Sequence, residues 1–269
     1  MIPLEDNFND IIGKAQRGYE LSDEQLAQQA GVSVSDLNRV KQGDFDESVV
    51  RKLAPVLKLN ADALVALGKK LWYPKDPGII PGLAMFTTTY EDMTVNSFLI
   101  WDPKTKAAVA FDTGADASGM LKLAKDQGLS IQLILLTHTH PDHIADLANL
   151  KTATGAKAYV CELEAFDGAE SFAAGKRFSA GDLQIETRQT SGHAHGGITF
   201  VVSGLSKAIA VAGDSIFASS MGGGMISYDD ALRNNKEKIL TLPDETILCS
   251  GHGPLTTVGE EKKHNPFFA

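Results

Sequence analysis

The chain has 269 residues, of which 43% are hydrophobic and 22% charged. That suffices for a sizeable core and an appended smaller unit. A net charge of -9 makes it a poor generic partner for nucleic acid or anionic lipid. No stretch approaches the roughly 20 apolar residues of a membrane span. The acidic start MIPLEDNFNDII lacks the basic, then apolar, order of a secretory signal. Cys161 and Cys249 sit in apolar surroundings and read as reduced core residues, so the expected compartment is the cytoplasm.

Residues 1–72 read as helical. LSDEQLAQQAG offers Ser22 as a cap and Gly31 as a stop. VSVSDLNRVKQGD and ESVVRKLAPVLKLNADALVALGKK follow with aliphatics at helical spacing. Helix, short turn "AGVS", helix resembles the helix-turn-helix domain of phage-repressor-type regulators. The second helix, about residues 33–42, would then enter the major groove and offer Asn38, Arg39, Lys41 and Gln42 as DNA-binding residues. Charge points the other way. Residues 1–72 carry 9 Lys and Arg against 11 Asp and Glu, and Asp36, Asp44, Asp46 and Glu47 crowd the proposed recognition helix. A packing or dimerisation module is therefore the preferred reading, with a homodimer through this segment as one expectation.

YPKDPG, residues 73–78, reads as a linker. Short β-rich runs follow: LAMFTTTY, VNSFLIWD, AAVAFDTG, IQLILLTH, AKAYVCEL, LQIETRQT, ITFVVSG, AIAVAGDS and TILCSGH. SGMLKLAKDQG and HIADLANLKTATG read as helices between them. An α/β domain of sheets covered by helices is expected over 78–269.

The apolar run IQLILL is followed at once by THTHPDHIADL. His138 and His140, two apart in an extended segment, project to one side. Pro141 ends the strand, and Asp142 and His143 open a helix. Three imidazoles and a carboxylate from one strand end suit zinc or another divalent transition metal. The pattern recurs: His193 in TSGHAHGG, Asp214 in AVAGDSIF and His252 in ILCSGHGP each close an apolar run. All 7 histidines lie after residue 137. His195 and His264 read as exposed or supporting residues. The glycines of SSMGGGMIS read equally as a pocket-shaping loop or a plain turn.

The set HxHxDH, GH, GD and GH resembles the metallo-β-lactamase superfamily over about residues 78–269. The resemblance implies an αββα sandwich with a two-metal site at one edge. His138, His140 and His193 would hold one ion, Asp142, His143 and His252 the other, and Asp214 would bridge them. Asp112 in AFDTGA would orient a ligand from behind. Two divalent ions are implied, zinc first, with iron or manganese as alternatives. The chemistry implied is hydrolysis by a bridging hydroxide, with Asp142 also acting catalytically. The second-site set and the tail are similar to short glyoxalase II-like hydrolases, so a small thioester or ester is the expected substrate. Only 17 residues follow His252, where larger glyoxalase II enzymes carry a glutathione-gripping helical domain, which leaves the thiol half of the substrate open. A lactonase, a one-iron persulfide dioxygenase and a DNA-binding regulator with a ligand-sensing hydrolase-like domain remain alternatives.

Overall fold

The computed structural model describes residues 2–269. Five helices come first: α1 (Phe8–Gly18), α2 (Asp23–Ala30), α3 (Val34–Lys41), α4 (Glu47–Val56) and α5 (Ala61–Gly68). Ser22, Ser33, Asp46 and Asn60 cap α2 to α5, each accepting from a backbone N–H of the first turn. Ile11, Ile12, Leu26, Leu37, Leu53 and Leu64 are fully buried between them.

The remainder forms two six-stranded sheets. The first is ordered β1 (Leu83–Tyr90), β2 (Met93–Trp101), β3 (Ala107–Phe111), β4 (Ser130–Leu135), β5 (Lys157–Cys161), β6 (Glu170–Phe172). Helices α6 (Ser118–Gln127), α7 (Pro141–Ile144) and α8 (Leu147–Thr154) belong to this half. The second sheet runs β12 (Thr256–Thr257), β11 (Ile247–Ser250), β10 (Ile209–Gly213), β9 (Ile198–Ser203), β8 (Leu183–Gln189), β7 (Arg177–Ala180). With it go α9 (Tyr228–Asn234) and α10 (Val258–His264).

Period-two alternation sorts the strand residues into layers. Phe98, Ile100, Val109, Phe111, Phe200 and Val211 meet between the sheets. Leu99, Ala108, Ala110 and Ile134 face Met120 of α6 and Leu150 of α8. Ala210 and Leu248 face Ile239 and Val258 on the other side. The result is the expected helix, sheet, sheet, helix order. Both cysteines are buried and unpaired.

One detail differs from the sequence expectation. HIADLANLKTATG is not one helix: it breaks between Ile144 and Leu147. Asp146 is drawn out of helical bonding, its N–H donating to Thr113 Oγ1 while its carboxylate accepts from the Ala117 N–H. The helical region packs against the rest of the chain. Its core continues into Met221, Tyr228, Ala231 and Phe267 of the β-rich part. Among the described residues no helix is long and apolar enough to cross a membrane.

Candidate metal centre

Parallel pairing of β3 with β4, and of β10 with β11, aligns their C-terminal ends on one edge. Asp112 follows β3, His138 follows β4, Asp214 follows β10 and His252 follows β11. His193 comes from the loop between β8 and β9. The seven side chains read from the sequence form two groups. His138, His140, His193 and Asp214 make one, and Asp142, His143 and His252 the other; within each group the ligand atoms lie within 4.8 Å of one another.

Asp214 joins the groups. Its Oδ1 is 3.2 Å from His143 Nε2. Its Oδ2 is 3.4 Å from His193 Nε2 and 3.3 Å from His252 Nε2. Asp142 Oδ2 lies 3.4 Å from His252 Nε2 and 3.5 Å from His143 Nε2. Donors held 2.0–2.1 Å from one tetrahedral ion stand about 3.3 Å apart, so these separations fit shared ions.

The other ring nitrogens set the aim of each imidazole. Thr137 spends its hydroxyl proton on Asp112 Oδ2 at 2.7 Å. His138 Nδ1, 3.0 Å from Thr137 Oγ1, is then the donor, and its Nε2 is left with a lone pair. His143 Nδ1 faces Asp112 Oδ2 at 2.8 Å. His193 Nδ1 faces the Gly223 carbonyl at 3.1 Å, and His252 Nδ1 faces the Thr94 carbonyl at 2.6 Å. His140 is the exception: it turns Nδ1 inward, 3.0 Å from His193 Nε2. Such back-side partners fix tautomer and ring orientation at metal sites.

His138 Nε2, His143 Nε2 and Asp214 Oδ1 are buried without a hydrogen-bond partner. Unpaired buried polar atoms are costly, and divalent cations held by the two ligand groups would satisfy all three. The local electrostatics point the same way. Burial draws the His138 imidazole well below its usual range. At His143 burial also pulls down, but Asp214 and Asp112 outweigh it and hold the group up at about 10. Burial is likewise overcome at His252, where Asp214 and Asp142 raise it to about 11. Asp214 is driven well below the usual carboxylate range against its burial, by His143 and His252. Carboxylates that attract protons this strongly attract a divalent cation too.

A family model described as the metallo-beta-lactamase superfamily matches residues 90–252. The chain belongs to the metallo-beta-lactamase superfamily. Members are usually hydrolases and bind divalent metals, usually two. The hydroxyacylglutathione hydrolase GloC of Haemophilus influenzae is 28% identical over 64% of this chain and 92% of its own length. A probable metallo-hydrolase of Bacillus subtilis, YqgX, is 29% identical over 63% of this chain and 90% of its own. Among solved structures, the B3 metallo-beta-lactamase BLEG-1 superposes with a TM-score of 0.60 at 26% identity, covering 69% of this chain and all (100%) of its own. TTHA1623, solved in a di-iron-bound form, gives 0.56 at 26% identity over 68% of this chain and 100% of its own.

The remaining sequence candidates are placed elsewhere or play other parts. His195 is exposed and stands in neither ligand group. His264 stacks on Trp72, ring centroids 4.7 Å apart. On α3, Asn38, Arg39 and Gln42 are exposed. Arg39 is tied to Asp44 at 2.9 Å and Asp36 at 3.5 Å, and Lys41 to Asp23 at 2.5 Å. Their charges are already met within the helical region.

Sequence reasoning missed Glu164. Its carboxylate accepts from Thr139 N and Oγ1 on one side and from Gly196 N on the other, clamping the two histidine loops together. It missed Gly251, where a Cβ would sit 2.2 Å from Asp214 Oδ1. The GH dipeptide before the chain's last glycine-proline step was the available signal for Gly251; nothing local signals Glu164.

Proposed function

We propose that the protein is a two-metal hydrolase of thioesters. The carrying observation is Asp214, whose two oxygens face His143, His193 and His252 at 3.2–3.4 Å and so reach both ligand groups. His138, His140 and His193 would hold the first ion; Asp142, His143 and His252 the second; Asp214 both. The imidazole-rich set suits zinc, and iron is the alternative that the di-iron relative supports. Two such ions supply Lewis acidity at the carbonyl and a water acidic enough to attack near neutral pH.

The protein's own groups do the rest. Asp112 and Thr137 hold His143 and His138 in aim. Asp142 is ionised: burial would raise its carboxyl, but the bond to His252 and the charge of His143 pull it below the usual value. An ionised carboxylate in the second group can both ligate its ion and orient the attacking water by accepting its hydrogen bond. All the converging side chains are then engaged with ions, and a thiolate of parent pKa ~8.5 departs without a dedicated acid. This supports a thioester over an amide, and the similarity to a hydroxyacylglutathione hydrolase supports the same bond.

The test is hydrolysis of S-D-lactoylglutathione by metal-replete protein, beside a lactone panel, with His143→Ala as control. Turnover of the thioester that is lost in the control is expected. Turnover of lactones alone would overturn the thioester assignment.

A further inference from the structure

A cavity of about 210 Å³ lies between the last turn of α1 and the glycine loop; Lys14, Arg17, Gly223, Gly224, Met225 and Tyr228 line it. It adjoins the metal centre. The Gly223 carbonyl that helps line it is also the partner of His193 Nδ1, at 3.1 Å, so one imidazole ring separates the two.

The two cations on its wall differ. Lys14 is spent: it pairs with Asp6 at 2.5 Å and donates to the Met221 carbonyl at 2.8 Å. Asp6 in turn accepts from Ser220 Oγ at 2.5 Å. These bonds fasten α1 to the loop and make the wall rigid. Arg17 is exposed and forms none of the ion pairs found among the described residues. Its guanidinium folds back along α1 over Gly13, where a Cβ would sit 3.2 Å from Nη1.

The opposite wall is backbone. Gly222 and Gly224 cannot carry side chains: a Cβ would fall 1.9 Å from the Asp214 carbonyl at the first and 2.5 Å from Tyr228 Cα at the second. At Gly223 only the Met225 side chain comes near, at 3.8 Å. The loop backbone is therefore the thin partition between cavity and metal centre, packed directly against Asp214 and His193. Met225 and Ile226, 77% and 46% exposed, give it an apolar rim.

We propose that Arg17 and this glycine loop form a subsite for a carboxylate on the thiol half of the substrate. The proposal rests on the thioester reading above and extends it to the leaving group. One free guanidinium matches one carboxylate in a two-pronged hydrogen bond, and a lone cation is poorly matched to a polyphosphate. The volume falls below the roughly 300–1,000 Å³ of whole-ligand pockets, as suits a fragment of amino-acid size. An N-terminal helix outside the family-matched segment thus becomes a specificity element for the hydrolase site.

The probe is S-methyl-N-acetylcysteine, a thioether that cannot be hydrolysed, beside its uncharged carboxamide. Both are titrated calorimetrically into metal-loaded full-length protein. The wild type should bind the acid about tenfold more tightly than the amide. Arg17→Gln should abolish that preference, and Arg17→Lys should restore part of it. An equal preference in wild type and Arg17→Gln, or none in the wild type, overturns the subsite. An Arg17-dependent preference in a protein that hydrolyses no thioester would overturn the thioester reading and leave the subsite standing.

Discussion

Asp112 Oδ2 and His143 Nδ1 stand 2.8 Å apart, and the same carboxylate accepts from the Thr137 N–H and hydroxyl, each at 2.7 Å. One buried carboxylate thus aims two imidazoles, His143 directly and His138 through Thr137. Its backbone is left-handed, with φ 54°, a conformation asparagine tolerates and alanine resists by about 1 kcal/mol. Asp112→Asn should fold as well as wild type yet lose roughly 10–100-fold in metal affinity or activity. Asp112→Ala should add a fall in melting temperature. Calorimetric melting and metal titration of both variants check this; full activity in Asp112→Asn would contradict it.

The glycine loop yields a positional contrast. A Cβ on Gly222 would lie 1.9 Å from the Asp214 carbonyl and 3.0 Å from His193 Nδ1, whereas one on Gly223 meets nothing closer than 3.8 Å. Gly222→Ala should displace His193 and Asp214 and remove most activity, on the order of 100-fold. Gly223→Ala should stay within a few-fold of wild type. Steady-state kinetics on the two purified variants, with metal content measured in parallel, separates them.

Metal uptake should release protons. In metal-free protein His143 and His252 are held at about 10 and about 11, against 6.5 when free. Raised folded-state values mean that their protonation stabilises the metal-free fold fully below pH 6.5, a contribution lost as pH rises through 10 to 11. Between those limits an incoming ion must expel these protons, so affinity should climb as pH rises from 6.5 toward 9. Calorimetry in buffers of different ionisation enthalpy should show more than one proton released per chain at pH 7.5.

Glu261 carries a pH signature away from the centre. Burial raises its carboxyl from 4.5 to about 7, against the pull of Thr256, Asn265 and the Ser219 N–H. The native state then holds a proton that the unfolded chain has given up, so stability falls as pH rises from 4.5 to about 7 and is flat above. The fall attributable to this group is on the order of 3 kcal/mol. Glu261→Gln should flatten the denaturation midpoint over that window, measured by urea titration at several pH values.

The metal-centre residues were legible because each closes an apolar run, and parallel strands align such ends. The layer order was legible only through the resemblance that the histidine and aspartate motifs carry: Phe98 and Leu99, like Val109 and Ala110, are alike apolar, and packing alone decides which layer each faces. What sequence hid depends on distant chain. Helices α9 and α10 and the short strands β6, β7 and β12 have weak local patterns and take shape through tertiary contacts. Glu164 reaches partners 25 and 32 residues away on either side, Thr139 and Gly196. Helix α1 bears on the site through the Lys14 bond to the Met221 carbonyl and through Gly18, which lies against the Tyr228 ring, where a Cβ would approach to 2.3 Å. Capping residues made α2 and α3 legible as helices.

The most direct test of the two-metal account is the metal stoichiometry of purified wild type and Asp214→Ala, by elemental analysis after loading and desalting. Two ions per chain in the wild type, and fewer than one in the variant, are predicted because Asp214 reaches both ligand groups. Two ions retained without Asp214, or fewer than one in the wild type, would contradict the account.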